Sequence, residues 1–180
     1  MGKTYIKGFN RKENNLNTKY NPSAVYEIFE HEEFEALISK IVGEKVFSIR
    51  PVSPYKFKKN NYLCLHDDMS HPQHAYEVVI NLTKNWKKEY GGFAIGGFMK
   101  NRKIAATPDD FPFYLQELTL NKEQENYCAM PVFNQLTVLK LSKDLCHGTT
   151  TVITDEEERI VIAAIFGTNK ESEVTTKWRT

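Results

Sequence analysis

Short strand-like runs separated by turn residues fill most of the sequence after Gly43, and this pattern limits the possible folds more than any other feature. Apolar and β-branched residues are concentrated in runs at 45–50, 62–65, 75–82, 93–99, 134–141 and 158–166. Several short strands at such intervals, after one helix, are typical of a β-barrel or β-sandwich and not of alternating β-α units. The sequence therefore predicts a mainly β domain with an N-terminal helix.

That helix is predicted over residues 23–42. Asn21-Pro22-Ser23 is a favourable start, and Gly43 is a favourable stop. The charged stretch that begins at His31 predicts a break within it. Apolar residues recur three or four positions apart along one face, as expected for a helix packed on a sheet; they are Val25, Ile28, Phe29, Phe34, Leu37, Ile38 and Ile41.

The chain of 180 residues is long enough for one domain, which we place at residues 21–167 between a polar segment 1–20 and a polar tail 168–180. Its 24 basic and 23 acidic residues give a net charge of +1, so no nucleic-acid or membrane partner is expected. Three cysteines, Cys64, Cys128 and Cys146, show no framework spacing, which predicts reduced thiols and a cytoplasmic location.

A candidate metal site begins where the run at 62–65 ends. His66 follows the run directly and Asp68 comes two positions later, so on an extended chain both side chains leave one face. They are two thirds of a 2-His-1-carboxylate triad, which binds Fe(II) and leaves coordination positions open for substrate and O2. His147, after the run at 134–141 and a short turn, is available as the third ligand.

Arg159 is the second unusual residue, because it opens an otherwise apolar strand. Alternation places Arg159, Val161 and Ala163 on one face, and both faces of the strand are apolar enough to be buried. A buried guanidinium needs an anionic partner, and its planar fork suits a carboxylate. No acid in the sequence is clearly placed for it, which favours a dicarboxylate ligand.

The order of these features resembles the Fe(II)- and 2-oxoglutarate-dependent dioxygenases, especially their prolyl-hydroxylase-like branch. The resemblance covers about residues 52–167. It implies a double-stranded β-helix core, also called a jelly roll or cupin-like fold, supported by the N-terminal helix. The matching features are Tyr55, Leu63-Cys-Leu-His66-Asp-Asp68, Trp86, Gly91-Gly92, Val132-Phe-Asn134-Gln-Leu-Thr-Val, and His147 with Val152 and Arg159.

The resemblance implies that His66, Asp68 and His147 bind Fe(II), with 2-oxoglutarate and O2 as co-substrates and ascorbate as a reductant. Arg159 would pair with the distal carboxylate of 2-oxoglutarate. The implied reaction oxidises 2-oxoglutarate to succinate and CO2 and hydroxylates a C–H bond. A carboxylate at Asp68 favours hydroxylation, because related halogenases have a small residue there.

Other contacts to the co-substrate are implied less directly. Asn81 occupies a position where prolyl hydroxylases often have a tyrosine that hydrogen-bonds the distal carboxylate, and an amide is able to donate in its place. Tyr55 or Tyr62 would reach the co-substrate from a neighbouring strand, and the sequence does not choose between them.

The substrate is expected to be an amino acid, a peptidyl residue or a small metabolite. Residues 100–127 are long, charged and irregular in pattern, which predicts a lid or substrate wall between two strands. Within that segment Arg102 and Tyr114 are candidate substrate contacts. Cys64 is a further candidate, since it shares a face with His66 on a regular strand.

Two alternatives come from other functional classes. One is a jelly-roll binding module that holds a metal or an organic acid without turnover. The other is a zinc hydrolase with a site formed by His66, His71 and His74, which lie close together in the sequence. The zinc hypothesis leaves Arg159 unexplained and offers no clearly placed general base.

Overall fold

The computed structural model describes residues 27–29, 31–49, 52–68, 73–104 and 116–168. Among these residues, helix α1 (Glu32–Val42) precedes ten strands, and a short 3-10 helix spans Lys88–Tyr90. The strands are β1 (Phe47–Ser48), β2 (Ser53–Phe57), β3 (Leu63–His66), β4 (Tyr76–Asn81), β5 (Ala94–Ile104), β6 (Gln116–Leu120), β7 (Asn126–Ala129), β8 (Gln135–Lys140), β9 (Leu145–Thr149) and β10 (Arg159–Gly167). Within these ranges, no helix has both the length and the apolar character of a membrane span. The domain limits at 21 and 167 stay a prediction.

The strands form two antiparallel sheets that face each other. In the first sheet the order is β1-β10-β4-β8, and β2 also pairs with β10. In the second sheet the order is β3-β9-β5-β6, and β7 also pairs with β5. Strands that are distant in sequence are therefore neighbours in space, as in a jelly roll. The predicted double-stranded β-helix core is confirmed.

The break predicted in the N-terminal helix is present at His31. His31 is extended, with φ −75° and ψ 136°, and its Nδ1 accepts a hydrogen bond from the backbone N–H of Glu33, so it caps α1. Gly43 ends α1 in the left-handed region at φ 79°, as predicted. Residues 27–29 are helical as well, whereas residues 23–26 lie outside the described part of the chain.

The apolar stripe of the helical region is only partly buried. Phe29 and Ile38 are buried against the first sheet, but three predicted members are about half exposed, namely Ile28 at 51%, Leu37 at 46% and Ile41 at 52%. The predicted packing of the helix on a sheet is present, but only part of the stripe takes part in it. The helix lies on the sheet along a narrow contact, and the residues flanking that contact remain open to solvent.

The two faces of the first sheet have different roles. Its outer face packs against the helix through Val78, Ile162 and Phe166. Each fully buried side chain of this size contributes about 1.5–3 kcal/mol through apolar burial. On the inner face, Val79 and Ala163 line a cavity between the sheets. The predicted alternation along β10 is thus present, and it aims Arg159 into the cavity.

Gly91 and Gly92 hold the loop before β10 close to this inner face. Both have positive φ, 69° and 67°, and a Cβ at Gly91 would lie 2.2 Å from the carbonyl oxygen of Thr151. The close approach of the Gly91 backbone to Thr151 also places Gly92 beside the aliphatic part of the Arg159 side chain. A residue with a side chain would force these backbones apart.

Tyr76 joins β4 to the segment after α1, because its hydroxyl donates a 2.6 Å hydrogen bond to Glu44 Oε1. This bond, followed by burial, raises the pKa of Tyr76 to about 12. The contribution of this hydrogen bond to folding stability is therefore complete below pH ~10, which is the pKa of tyrosine in the unfolded chain. It declines as the pH rises towards the pKa of about 12 that Tyr76 has in the folded protein.

We expect Tyr76→Phe to lower the free energy of unfolding by about 1 kcal/mol at pH 8. Because phenylalanine does not ionise, the variant should also lose less stability than the wild type between pH 9 and pH 11. Urea denaturation at these pH values measures both effects. An identical loss of stability in the two proteins on the alkaline side would contradict the assignment.

Candidate metal and co-substrate site

The three predicted metal ligands lie together at the cavity between the sheets. His66 at the end of β3 and His147 in β9 are partners on adjacent antiparallel strands, with ring centroids 4.2 Å apart. Asp68 Oδ2 lies 3.5 Å from His66 Nε2 and 3.4 Å from His147 Nε2. All three ligand atoms lie within 4.8 Å of one another. Two imidazoles and one carboxylate at this spacing can hold a divalent cation.

A backbone hydrogen bond fixes the orientation of the His66 ring. Its Nδ1 lies 2.9 Å from the carbonyl oxygen of Cys64, and since a carbonyl only accepts, Nδ1 carries the proton. Nε2, which faces Asp68, therefore keeps its lone pair for a metal. This is the usual arrangement for a metal-binding histidine.

Asp68 is held by an unusual backbone conformation. Its φ is 52°, in the left-handed region that is rare for residues other than glycine. The buried side chain of His74 stabilises this turn, because its Nδ1 donates to the carbonyl oxygen of Asp68 over 2.5 Å. His74 thus positions a candidate metal ligand from outside the cluster.

We expect His74→Ala to weaken divalent-metal binding by about 10–100-fold, the usual effect of losing a group that supports a metal ligand. His74→Gln, which keeps an N–H donor, should restore part of the affinity. Isothermal titration of the two variants with Mn²⁺ measures this. Equal affinities of the wild type and His74→Ala, both folded by circular dichroism, would show that Asp68 is positioned without His74.

Electrostatics at the cluster favour a bound cation. Burial disfavours the ionised form of Asp68, but the two histidines outweigh it and hold the pKa of this carboxyl well below its usual range. Burial likewise opposes protonation of His147, yet Asp68 and Glu77 raise its pKa to about 9. His147 Nε2 is buried and lies 3.0 Å from Glu77 Oε2 without a well-oriented hydrogen bond to either carboxylate. A divalent cation among these donors would satisfy all of them, so the residues fit a metal.

Arg159 lies in the same cavity and has no described carboxylate partner. It is 5% exposed, its Nη1 donates a 3.1 Å hydrogen bond to Thr149 Oγ1, and its Nε makes no hydrogen bond. The guanidinium carbon is 4.9 Å from the centre of the Phe57 ring. Burial lowers the pKa of Arg159 to about 10, and Glu77 opposes this shift. A buried cation without a described carboxylate partner within ion-pair distance is able to receive an anionic ligand.

Comparison with known proteins establishes the fold. No protein-family model matches the sequence, and no curated protein is similar to it. Among solved structures, an oxidoreductase of the 2OG-Fe(II) oxygenase family from Burkholderia pseudomallei is similar, with a TM-score of 0.56 and 16% identity over 82% of this chain and 56% of its own. The chain has the fold of the 2OG-Fe(II) oxygenases.

Two prolyl hydroxylases share this oxygenase fold. One, from Phytophthora capsici, has a TM-score of 0.51 and 12% identity over 79% of this chain and 42% of its own. The other, from Trichoplax adhaerens, was solved with a peptide fragment of hypoxia inducible factor, and has a TM-score of 0.51 and 14% identity over 73% of this chain and 51% of its own. The chain therefore spans about half the length of the oxygenases that it matches.

Further polar residues predicted to contact the co-substrate line the cavity of this oxygenase fold together with Arg159. Both amide atoms of Asn81 are buried and make no hydrogen bond, and the amide lies on the inner face opposite Val161. Of the two predicted tyrosines, Tyr55 lines the cavity and Tyr62 does not. The structure thus brings Asn81, Tyr55 and Arg159 to the same cavity.

Cys64 does not face the cavity. The pairing of β3 with β9 is irregular between Leu63 and His66, so Leu63 and His66 line the cavity although they are three positions apart. Cys64 is exposed instead. The expectation that it shares the face of His66 was wrong because it assumed a regular strand.

The remaining candidates are placed only in part. Arg102 belongs to β5, but its side chain is outside the described residues, as are Tyr114 and His71. His74 binds the backbone of Asp68 and does not join His66 in a cluster of ligands among the described residues. Because His71 lies outside the described residues, the zinc site predicted from His66, His71 and His74 stays an untested alternative.

Three cavity residues were missed at the level of sequence. Thr149 and Tyr127 lie in segments without a strand pattern, so no signal marked them. Glu77 had a signal, because it is a charged residue inside the apolar run at 75–82, as Arg159 is in its own strand. Its position on the inner face of β4 follows from alternation with Val78.

Proposed function

We propose that the protein is an Fe(II)- and 2-oxoglutarate-dependent dioxygenase that hydroxylates a C–H bond. One observation carries this proposal: a His-Asp-His cluster and a buried arginine without a described carboxylate partner line the same cavity. A metal centre alone fits many enzymes, and a buried arginine alone fits many anion sites. Their combination suits an anion that has one end at the metal and a carboxylate at the other.

In this proposal His66, Asp68 and His147 hold Fe(II) through Nε2 and carboxylate oxygens. When bound with 2-oxoglutarate and O2, the metal supplies the oxidation of the substrate C–H bond, with succinate and CO2 as co-products. The hydrogen bond from His66 Nδ1 to Cys64 keeps the ring in the tautomer that binds metal. The carboxylate of Asp68 would bind the metal where a related halogenase has a small residue and leaves room for chloride, which favours hydroxylation.

Arg159 receives the distal carboxylate of 2-oxoglutarate. Thr149 accepts from Nη1 and so orients the guanidinium fork, while Asn81 has an unused N–H donor in the same cavity. Val79 and Ala163 add an apolar lining to the same cavity. Low local polarity strengthens the ion pair between Arg159 and a carboxylate.

The substrate in this proposal is an amino acid, a peptidyl residue or a small metabolite. A peptide bound to a prolyl hydroxylase of the same fold supports peptidyl substrates as one candidate class.

Release of CO2 from 1-labelled 2-oxoglutarate tests the proposed function. The assay combines purified protein with Fe(II), ascorbate, air and 2-oxoglutarate, and includes metal-free protein as the control. We expect slow release without a substrate and none from the control. Tight binding of Fe(II) and 2-oxoglutarate without CO2 release, including in the presence of candidate substrates, would support the binding module instead.

A further inference from the structure

We propose that Glu77 positions a water molecule on the metal, an inference that rests on the proposed function. The water would occupy a coordination position that a 2-His-1-carboxylate site leaves open, and the Glu77 carboxylate would accept a hydrogen bond from it. Glu77 lines the same cavity as the metal cluster and Arg159, but the roles proposed above for those residues do not use it.

Glu77 projects from the inner face of β4 to a point beside the metal cluster. Its side chain is 13% exposed, and its Oε2 lies 3.0 Å from His147 Nε2, one of the three candidate ligand atoms. A metal bonded to this nitrogen at about 2.1 Å would lie within about 5 Å of Oε2. Glu77 is therefore near enough to contact the ligands of a metal held by the cluster.

Glu77 lies too far from the cluster to be a direct ligand. The candidate ligand atoms of His66, Asp68 and His147 lie within 4.8 Å of one another, and Glu77 does not belong to this set. A metal bonded to all three atoms at about 2.1 Å would then be about 2.7 Å or more from either Glu77 oxygen. A direct bond to a carboxylate is about 2.0–2.2 Å long. A contact through a metal-bound water fits both limits.

The Tyr127 hydroxyl is a second polar group available to this water, and it faces the cavity from the opposite sheet. It is buried and makes no hydrogen bond. Gly96 pairs with Tyr127 on one side and with His147 on the other, and a Cβ at Gly96 would lie 2.5 Å from the Tyr127 hydroxyl. The Tyr127 side chain therefore crosses β5 towards His147. A buried water typically has about three polar partners, which the metal, Glu77 and Tyr127 would supply.

Counting the water molecules on bound Mn²⁺ tests the proposal without turnover. Oxygen-17 relaxation of the solvent gives both their number and their exchange rate. Mn²⁺ takes six ligands, so the wild type should keep three waters on the metal alone and one after 2-oxoglutarate chelates it. In Glu77→Leu the counts should be unchanged, but the water of the 2-oxoglutarate complex should exchange about tenfold or more faster, because a hydrogen bond to a charged group is lost.

Three further variants separate the hydrogen bond from other effects. Glu77→Gln keeps an acceptor oxygen, so its exchange rate should lie between those of the wild type and Glu77→Leu. Tyr127→Phe removes the second partner and should also speed exchange. The exposed Glu123 supplies a matched control, since Glu123→Leu removes the same charge outside the cavity and should leave the exchange rate unchanged. Circular dichroism establishes that each variant is folded.

Two results would overturn the proposal. Equal exchange rates in the wild type and Glu77→Leu, or in the wild type and Glu77→Gln if the leucine variant does not fold, would show that Glu77 holds no water. Two waters on Mn²⁺ in the wild type and three in the variant would make Glu77 a direct ligand. Failure of the wild type to bind Mn²⁺ or 2-oxoglutarate would instead refute the proposed function, and separate titrations of each distinguish that outcome.

Discussion

Replacing Arg159 with glutamine is expected to raise the Kd for 2-oxoglutarate by about a hundredfold or more while leaving Fe(II) affinity unchanged. Arg159 is 5% exposed and is the positive charge that the inner face of β10 offers to an anion. Truncating one partner of a buried, hydrogen-bonded charge pair costs about 2–5 kcal/mol, which corresponds to an increase in Kd of about 30-fold to several thousandfold and includes the expected change. Anaerobic isothermal titration with 2-oxoglutarate at saturating Mn²⁺ measures the effect without turnover.

Two further variants separate charge from geometry at this position. Arg159→Lys keeps the charge but loses the planar fork, so its Kd should lie between those of the wild type and Arg159→Gln. Thr149→Val removes the acceptor that holds Nη1 and should weaken binding to a smaller extent. Unchanged 2-oxoglutarate affinity in Arg159→Gln would show that the co-substrate binds elsewhere, and would refute the role given to Arg159.

Replacing His147 with alanine should abolish specific binding of a divalent metal. His147 is buried, and its Nε2 is one of three donors in the cluster. Loss of a supporting group outside a metal cluster already costs about 10–100-fold in affinity, so the loss of a ligand should cost more than that. Titration of metal-free protein with Mn²⁺, followed by electron paramagnetic resonance, counts the bound ions directly.

The exposed histidine at the start of α1 provides the control for this experiment. His31→Ala removes an imidazole that is far more exposed and lies on the helix, so it should bind one Mn²⁺ per chain as the wild type does. Circular dichroism establishes that both variants are folded. Stoichiometric metal binding by His147→Ala would contradict the three-ligand site.

The parts of the fold that the sequence predicted are those with strong periodicity. Along β10 the alternation of Val161, Ala163 and Ile162 predicts two buried faces, and the structure has them. β2 was missed because Pro54 and Lys56 interrupt any apolar pattern, although a proline is tolerated in a strand that lacks a second neighbour. β9 was missed because Cys146-His147-Gly148 has no β-branched residues, so its strand form comes from pairing with β3 and β5.

The segment 100–127 shows where local pattern is a poor guide. It was expected to be irregular, yet β5 continues to Ile104, and β6 and β7 pair with β5. Charged residues such as Lys100, which is exposed in β5, hide these strands because one face is open to solvent. Pairing with a neighbouring strand, which the local sequence does not encode, determines the structure here.

At the site, sequence reasoning found the residues whose chemistry is unusual for their position. A histidine at a strand end and an arginine in an apolar strand both led to the cavity. Cys64 was misplaced because the irregularity in β3 is invisible in sequence. Glu77 was overlooked although it obeys the same rule as Arg159, since its strand was read only for its hydrophobicity.

Anaerobic titration of the purified protein with Fe(II) and then 2-oxoglutarate tests the central claim most directly. If the His66, Asp68 and His147 cluster holds Fe(II) and the cavity admits 2-oxoglutarate to it, a visible metal-to-ligand charge-transfer band will appear in the wild type. The band should be absent in His147→Ala and require far more 2-oxoglutarate in Arg159→Gln. A wild type that binds Fe(II) but develops no band at saturating 2-oxoglutarate would contradict the dioxygenase assignment.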